Sequence, residues 1–393
     1  MNTNELSYVM PTYGNRSLEF IKGEGCYLTS VSKKNYLDFG SGIAVNSLGH
    51  CHPILVKKLQ KQIENLWHTS NLYLNSEQEE YAKILCQNSF AEKVFFTNSG
   101  VEAIEAGIKV VRSYHHYHKN SDKKNIITFS GAFHGRTFAA LSAQQNQKYS
   151  QAFEPLLSGF INIPFNDYEQ VKKNINENIS AIMIEPIQGE GGIKPANLKF
   201  LDKLRKICDE NDILFFLDEV QSGFGRTGKL FAYEWANFEP DIIATAKGIA
   251  SGFPLGACMS TKKACIGMHK GSHGSTYGGN PLAVSVGIEV IKIMLQDGFM
   301  ERVDENARYL WEKLKILEKK YEQILEIRGA GFLLGIKTKA NNLIINNILT
   351  ANGLLCVPAS DNIIRLAPPL IVNKNEIDEA LQIIEKTLDD YNG

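Results

Sequence analysis

Between about residues 80 and 250, short apolar runs alternate with stretches of helical periodicity. In KVFFTNSG, residues Val94–Phe96 read as a strand, and from about Val101 apolar residues at 101, 104, 108 and 111 follow one helix face. NIITFSG, AIMIEPIQG, ILFFLDEVQ and DIIATAKG repeat the scheme, each on a β-branched or aromatic run. Strands alternating with helices predict an α/β fold with a mainly parallel, doubly wound sheet. Polar residues gather just after the runs: Asn98-Ser99-Gly100, His134-Gly135-Arg136, Glu185 with Gln188, Asp218-Glu219 with Gln221, and Lys247. Open parallel sheets bind ligands at the carboxyl ends of their strands, so this edge is the expected site.

After YGGNP the texture changes. Asn280 can cap a helix with Pro281 at its first position, running through LAVSVGIEVIKIML. A charged helix near 301–320, strand-like GFLLGIKT and IIRLAPPLIV, and a last amphipathic helix follow. That last helix has Asn373 and Glu376 as a capping box and apolar residues at 377, 381, 384 and 388. The expected organisation is a large domain over 56–284 and a smaller α+β domain over 285–393, with residues 1–55 packing on the latter.

Length agrees, since 393 residues exceed what one hydrophobic core usually supports. Forty-two basic against 43 acidic residues, with lysine pairs scattered among acids, give no basic face for nucleic acid or an anionic membrane. The first twenty residues lack a basic stretch followed by an apolar core, and no apolar run approaches a membrane span, so a cytoplasmic protein is expected. Seven scattered cysteines without a C-x-x-C pair suggest reduced thiols. GHCHP and HHYH are rich in imidazole but have no partners at recurring ligand spacing, so no metal is expected.

The stretch DIIATAKGIASGFP fences Lys247 with Ala246, Gly248, Ala250 and Gly252. A lysine with room around its amine can form a Schiff base with an aldehyde. Asp218, ending a neighbouring run, could simply pair with it. It could also hold the protonated ring nitrogen of pyridoxal 5'-phosphate (PLP), whose ring is an electron sink. The phosphate would need backbone N–H groups at a helix start, as Ser99, Gly100 and Val101 offer. Ser275 and Thr276 in GSHGSTYGGNP add hydroxyls, and Phe133 and Val220 are candidates for the two faces of a flat ring. GFGRTG matches G-x-G-x-x-G and raises a nicotinamide-dependent oxidoreductase, but acids stand directly before it and only the short, aromatic KLFAYEW follows.

Nearly end to end, these motifs resemble the class III (subgroup II) aminotransferases, a PLP-dependent family of fold type I. The match runs from LDFGSGIAVNSLGHCHP through TSNLYLNSEQEEYA, FFTNSGVEAIEAGIK, FHGRT, IEPIQGEGG, LDEVQSGFGRTG, ATAKG and GSHGSTYGGNPLA to IRLAPPL. Within the family it is nearest the acetylornithine branch. The resemblance implies that Lys247 carries the cofactor and moves the proton, while Asp218 meets the ring nitrogen and Gln221 the phenolic oxygen. Ser99, Gly100, Val101, Phe133, Glu219 and Val220 complete the cofactor set, with Thr276 reaching the phosphate from the second subunit of a homodimer. Ser275 would lie beside the substrate.

The partners implied are an ω-amino acid and 2-oxoglutarate. Glutamate brings two carboxylates, for which Arg136 and Arg365 are the cationic handles. A substrate with one carboxylate would strand Arg365, and the resemblance implies that Glu190 in IQGEGG then covers it. Gly42 and Ile43 stand where ornithine aminotransferases carry a tyrosine for the free α-amine, which counts against unblocked ornithine. Succinylornithine, succinyldiaminopimelate and 4-aminobutyrate stay open as substrates.

Overall fold

The structure is a computed structural model and describes residues 8–14, 17–120 and 122–391. Its largest sheet has seven strands in the order Lys93–Thr97, Gly256–Ser260, Ile242–Thr245, Leu214–Asp218, Ile179–Ile184, Asn125–Phe129, Phe160–Ile163. Gly256–Ser260 runs antiparallel to both its neighbours, and the other neighbouring pairs are parallel. Side chains alternate across a strand, and here both faces are apolar. Ile182, Ile184, Phe215, Leu217 and Ile243 join one buried cluster, while Ala181, Met183, Leu214, Phe216, Ile242 and Ala244 join the other. A sheet hydrophobic on both sides must be covered on both sides. Helix Gly100–Tyr117 does so on the second face, burying Ile104, Ile108 and Val111.

The strand at Gly256–Ser260 lies outside the sequence expectation. GACMS has no branched or aromatic residue, so nothing in its pattern marks a strand, yet all five residues are buried. The expected helices fall close to their signals. Asn280 accepts a hydrogen bond from Ala283 N at the head of Pro281–Met294. Asn373 and Glu376 form a capping box on Lys374–Asp390, whose Ile377, Leu381, Ile384 and Leu388 are buried. The charged helix begins slightly early, at Phe299, and ends at Lys320.

A second, antiparallel sheet is formed by Ile324–Ala330, Leu333–Thr338, Ile363–Leu366 and Val357–Ala359. A third unites Phe20–Glu24, Tyr27–Ser30 and Asn35–Asp38 with Leu354–Leu355, so the two ends of the chain share backbone hydrogen bonds. Among the described residues, no helix is long and apolar enough to cross a membrane.

Candidate active site

A cavity of about 470 Å³ opens where the strands ending at Thr97, Asp218 and Thr245 present their carboxyl ends. Ser99, Gly100, Val101, Phe133, Arg136, Asp218, Val220, Gln221 and Lys247 all line it, although they span some 150 positions of sequence. Lys247 follows strand Ile242–Thr245 at φ +47°, a left-handed conformation that is strained for a lysine. Burial and then the nearby charge of Arg365 lower its pKa to about 8, against the opposing pull of Glu190, Asp218 and Glu185.

The small residues around Lys247 do less for the amine than their pattern suggests. A Cβ on Gly248 would sit 3.0 Å from Phe224 Cβ, and one on Gly252, at φ +111°, would sit 2.8 Å from Asn46 Oδ1. Ser47 Oγ donates to Gly248 O, and Leu48 N donates to Ser251 Oγ. Gly248 is small because Phe224 lies against it and Gly252 because Asn46 does; Ala246 and Gly252 do line the cavity.

Helix Gly100–Tyr117 points its N-terminus into the same space. The Glu102 carboxylate accepts from Asn98 N and Ser99 N, and Ser99 caps Glu102 N. That leaves Gly100 and Val101 N–H without an acceptor among the described residues, at the positive end of a helix dipole. Gly100 cannot carry a side chain, because its Cβ would lie 2.6 Å from Val220 Cγ1. Two free amides, a carboxylate at a strand end, a poised amine and the Phe133 and Val220 walls fit a flat, phosphate-bearing aldehyde with a ring nitrogen.

The class-III aminotransferase profile matches residues 8–388. The chain belongs to the class-III aminotransferases. It is 50% identical over 375 residues to the acetylornithine aminotransferase of Agrobacterium fabrum, covering 95% of this chain and 94% of that protein. It is 47% identical to the acetylornithine aminotransferase of Caldanaerobacter subterraneus, covering 99% of both. Among solved structures it is similar to N-acetylornithine aminotransferase from Stenotrophomonas maltophilia (TM-score 0.84, 32% identity, 95% and 96% coverage). It is also similar to the ornithine aminotransferase of Toxoplasma gondii, which has PLP at partial occupancy in its active site (TM-score 0.92, 28% identity, 97% and 92% coverage).

In this class-III aminotransferase, Asp218 is held by a residue to which sequence reasoning gave no role. His134, with its side chain buried, places Nδ1 2.7 Å from Asp218 Oδ2, while Val220 N donates to Oδ1. Burial opposes a charge on His134, but the hydrogen bond and charge of Asp218, with Glu185, outweigh it and raise its pKa. Glu185 lines the cavity too; burial and then the charge of Asp218 raise its pKa, and its carboxyl accepts from Phe133 N and Gly189 N. The cluster of polar residues after each strand was the available signal for both. Their pairing with Asp218 spans distances no periodicity reveals.

The guanidinium of Arg136 lies 3.8 Å from the Tyr149 ring centroid and 5.1 Å from that of Phe133, with no carboxylate partner among the described residues. Arg365, on the strand Ile363–Leu366, is fully buried. Its Nη1 donates to Glu190 Oε1 at 2.6 Å and Gln221 Oε1 at 2.9 Å, while Nε and Nη2 find no partner.

Five residues expected at the site are not among those lining the cavity: Glu190 and Arg365, which pair beside it next to Gln221, and Glu219, Ser275 and Thr276. Glu219 follows Asp218, and adjacent side chains on an extended chain point to opposite faces. Its carboxylate therefore turns inward to accept from Ala232 N and Tyr233 N. Burial, only partly offset by those amides, raises its pKa to about 7. The Glu219 carboxylate thus caps the turn Ala232–Trp235 and does not line the Lys247 cavity. Ser275 Oγ accepts from Gly278 N and meets Asn98 Nδ2 at 3.4 Å, and Thr276 is exposed on the same loop. The GFGRTG glycines bend a loop whose Arg226 is buried and donates to Phe332 O and Pro368 O, so this loop packs on protein rather than cradling a dinucleotide.

Proposed function

We propose that this chain moves the distal amino group of N2-acetyl-L-ornithine to 2-oxoglutarate in two alternating half-reactions of a ping-pong cycle on PLP. The products are N-acetyl-L-glutamate 5-semialdehyde and L-glutamate, a step of arginine biosynthesis. The acetylornithine aminotransferases named above support the substrate, and the Gly100 and Val101 N–H groups at the helix start, with Asp218 and Lys247 across the cavity, support the cofactor. When bound, PLP supplies an aldehyde that takes up the amine and a ring that absorbs the electron pair left by a departing proton. Gly100 and Val101 N–H would hold its phosphate at the helix dipole, joined by Thr276 of the partner subunit in a homodimer. Phe133 and Val220 would flank the ring, Gln221 would meet its phenolic oxygen, and Asp218, steadied by His134, would keep the ring nitrogen protonated. With its pKa lowered to about 8, Lys247 has a neutral fraction near physiological pH and takes and returns the proton beside the reacting carbon.

Substrate choice rests on one observation: buried Arg365 is covered by Glu190, while Arg136 has no carboxylate partner among the described residues. A substrate with one carboxylate near its far end needs one cation, and Arg136 supplies it while Glu190 keeps Arg365 neutralised. Glutamate brings a second carboxylate, for which Glu190 swings aside. By family resemblance, Ser275 would lie beside the substrate. In Glu190→Ala the acetylornithine half-reaction should slow by about ten- to a hundredfold, roughly 1.4–2.8 kcal/mol of barrier, with the glutamate half-reaction unchanged or faster. Single-turnover absorbance of the cofactor with each amino acid measures both, and equal behaviour of the two half-reactions refutes the gate. The same assay with ornithine, succinylornithine, succinyldiaminopimelate and 4-aminobutyrate ranks the donors. Seven free thiols, three of them buried, support a reducing, cytoplasmic setting.

A further inference from the structure

Two of the three tryptophans of the chain line a second cavity that the proposed reaction does not use. It measures about 400 Å³ and lies between the hairpin Ile187–Gln188/Lys194–Pro195 and helix Phe299–Lys320. That volume falls within the roughly 300–1,000 Å³ of small-molecule sites. Its walls are apolar, and Leu198 and Trp235 on it remain 48% and 42% exposed, unusual for large apolar groups inside a recess. On the helix, Asp304, Ala307, Arg308 and Trp311 share one face and all line the space.

The charges there come as a matched pair. Arg308 Nη2 and Asp304 Oδ2 are 2.8 Å apart, with side chains 70% and 38% exposed. An ion pair so open to water is weak, and each member can be re-paired by a ligand at little cost. A ligand bearing only a carboxylate would bring its charge against Asp304, and one bearing only an ammonium would bring it against Arg308. A zwitterion satisfies both at once, and the apolar walls then call for an apolar body.

We propose that this cavity binds a hydrophobic α-amino acid, with its carboxylate on Arg308, its ammonium on Asp304 and its side chain against Trp235 and Trp311. The site is separate from the Lys247 cavity but shares a structural member with its surroundings. Pro186, Ile187 and Pro195 are wall residues, and the turn of their hairpin carries Glu190. That turn is also held by two hydrogen bonds, Arg328 Nε donating to Gly192 O at 2.8 Å and Ser360 N donating to Glu190 O at 3.1 Å, and residues 329–331, which follow Arg328, line the same cavity. An occupant adds contacts at Pro186, Ile187 and Pro195, the base of that hairpin.

The probe is L-leucine, titrated into the holoenzyme while the intrinsic tryptophan fluorescence is followed. A saturable change is expected, with binding about tenfold or more weaker for 4-methylpentanoate, for isopentylamine and in the exposed-site variant Arg308→Ala. Hydrogen exchange of amides 187–195 should slow when L-leucine is bound. No saturable change, an Arg308→Ala variant that binds L-leucine as the parent does, or protection confined to the Lys247 cavity would each overturn the proposal. None of these readouts depends on turnover, so their failure leaves the aminotransferase reading untouched.

Discussion

Lys247 concentrates several demands in one residue: a left-handed backbone, a buried amine and a position between a cation and three acids. Its folded pKa, about 8, lies below the ordinary value of 10.5, so at pH 7 the folded state bears the cost of a desolvated charge. Between these values the unfolded chain holds more protons than the folded one, and stability rises with pH. In the cofactor-free protein, Lys247→Met should therefore be more stable than the parent at pH 7, the difference narrowing from pH 8 to 10.5 in urea titrations. The same substitution should cost about 10²–10⁴-fold or more in transamination rate, read in a coupled glutamate assay. Lys247 and Asp218 were legible because each closes an apolar run where a parallel sheet presents its ligand edge. His134 was not, since its partner stands 84 residues away, nor was the inward turn of the Glu219 carboxylate, because adjacency in sequence hides opposite facing in space.

At the scale of elements, helices were more legible than strands, for a physical reason. A helix declares its own ends, as Asn373 and Asn280 do by capping local amides. Asn373→Ala should cost about 1 kcal/mol in urea unfolding, with little change in denaturant slope. A buried strand such as Gly256–Ser260 is specified by its neighbours, and its own residues say little. The Gly100–Val220 contact is a similar case of one element shaped by another. Gly100→Ala places a methyl group against Val220 and should shift the helix start and its free N–H groups, where the phosphate is proposed to bind. Affinity for PLP should fall about tenfold or more, measured by equilibrium dialysis, with a smaller change in melting temperature of the cofactor-free protein.

Across the whole molecule, the segment at 63–74 leaves Leu66, Trp67, Leu72, Tyr73 and Leu74 between 46% and 88% exposed, and Tyr277 beside Thr276 is 60% exposed. An apolar surface of that kind suits a second copy of the chain, as the proposed sharing of Thr276 requires. The double variant Leu72→Asp, Leu74→Asp should run as a monomer in light scattering and lose most activity; a fully active monomer would refute shared sites.

The antiparallel strand Gly256–Ser260 also sets a timetable. Among the described residues it is the sole sheet neighbour of Lys93–Thr97, the strand that leads into the helix Gly100–Tyr117. A ribosome adding about 5–20 residues per second delivers that neighbour roughly 8–30 s after the edge strand itself. Until then the nascent chain carries the start of the helix Gly100–Tyr117 on a strand that lacks its sheet neighbour. A chain stalled anywhere before residue 256 should therefore be a client for chaperones rather than a partial binder of the cofactor.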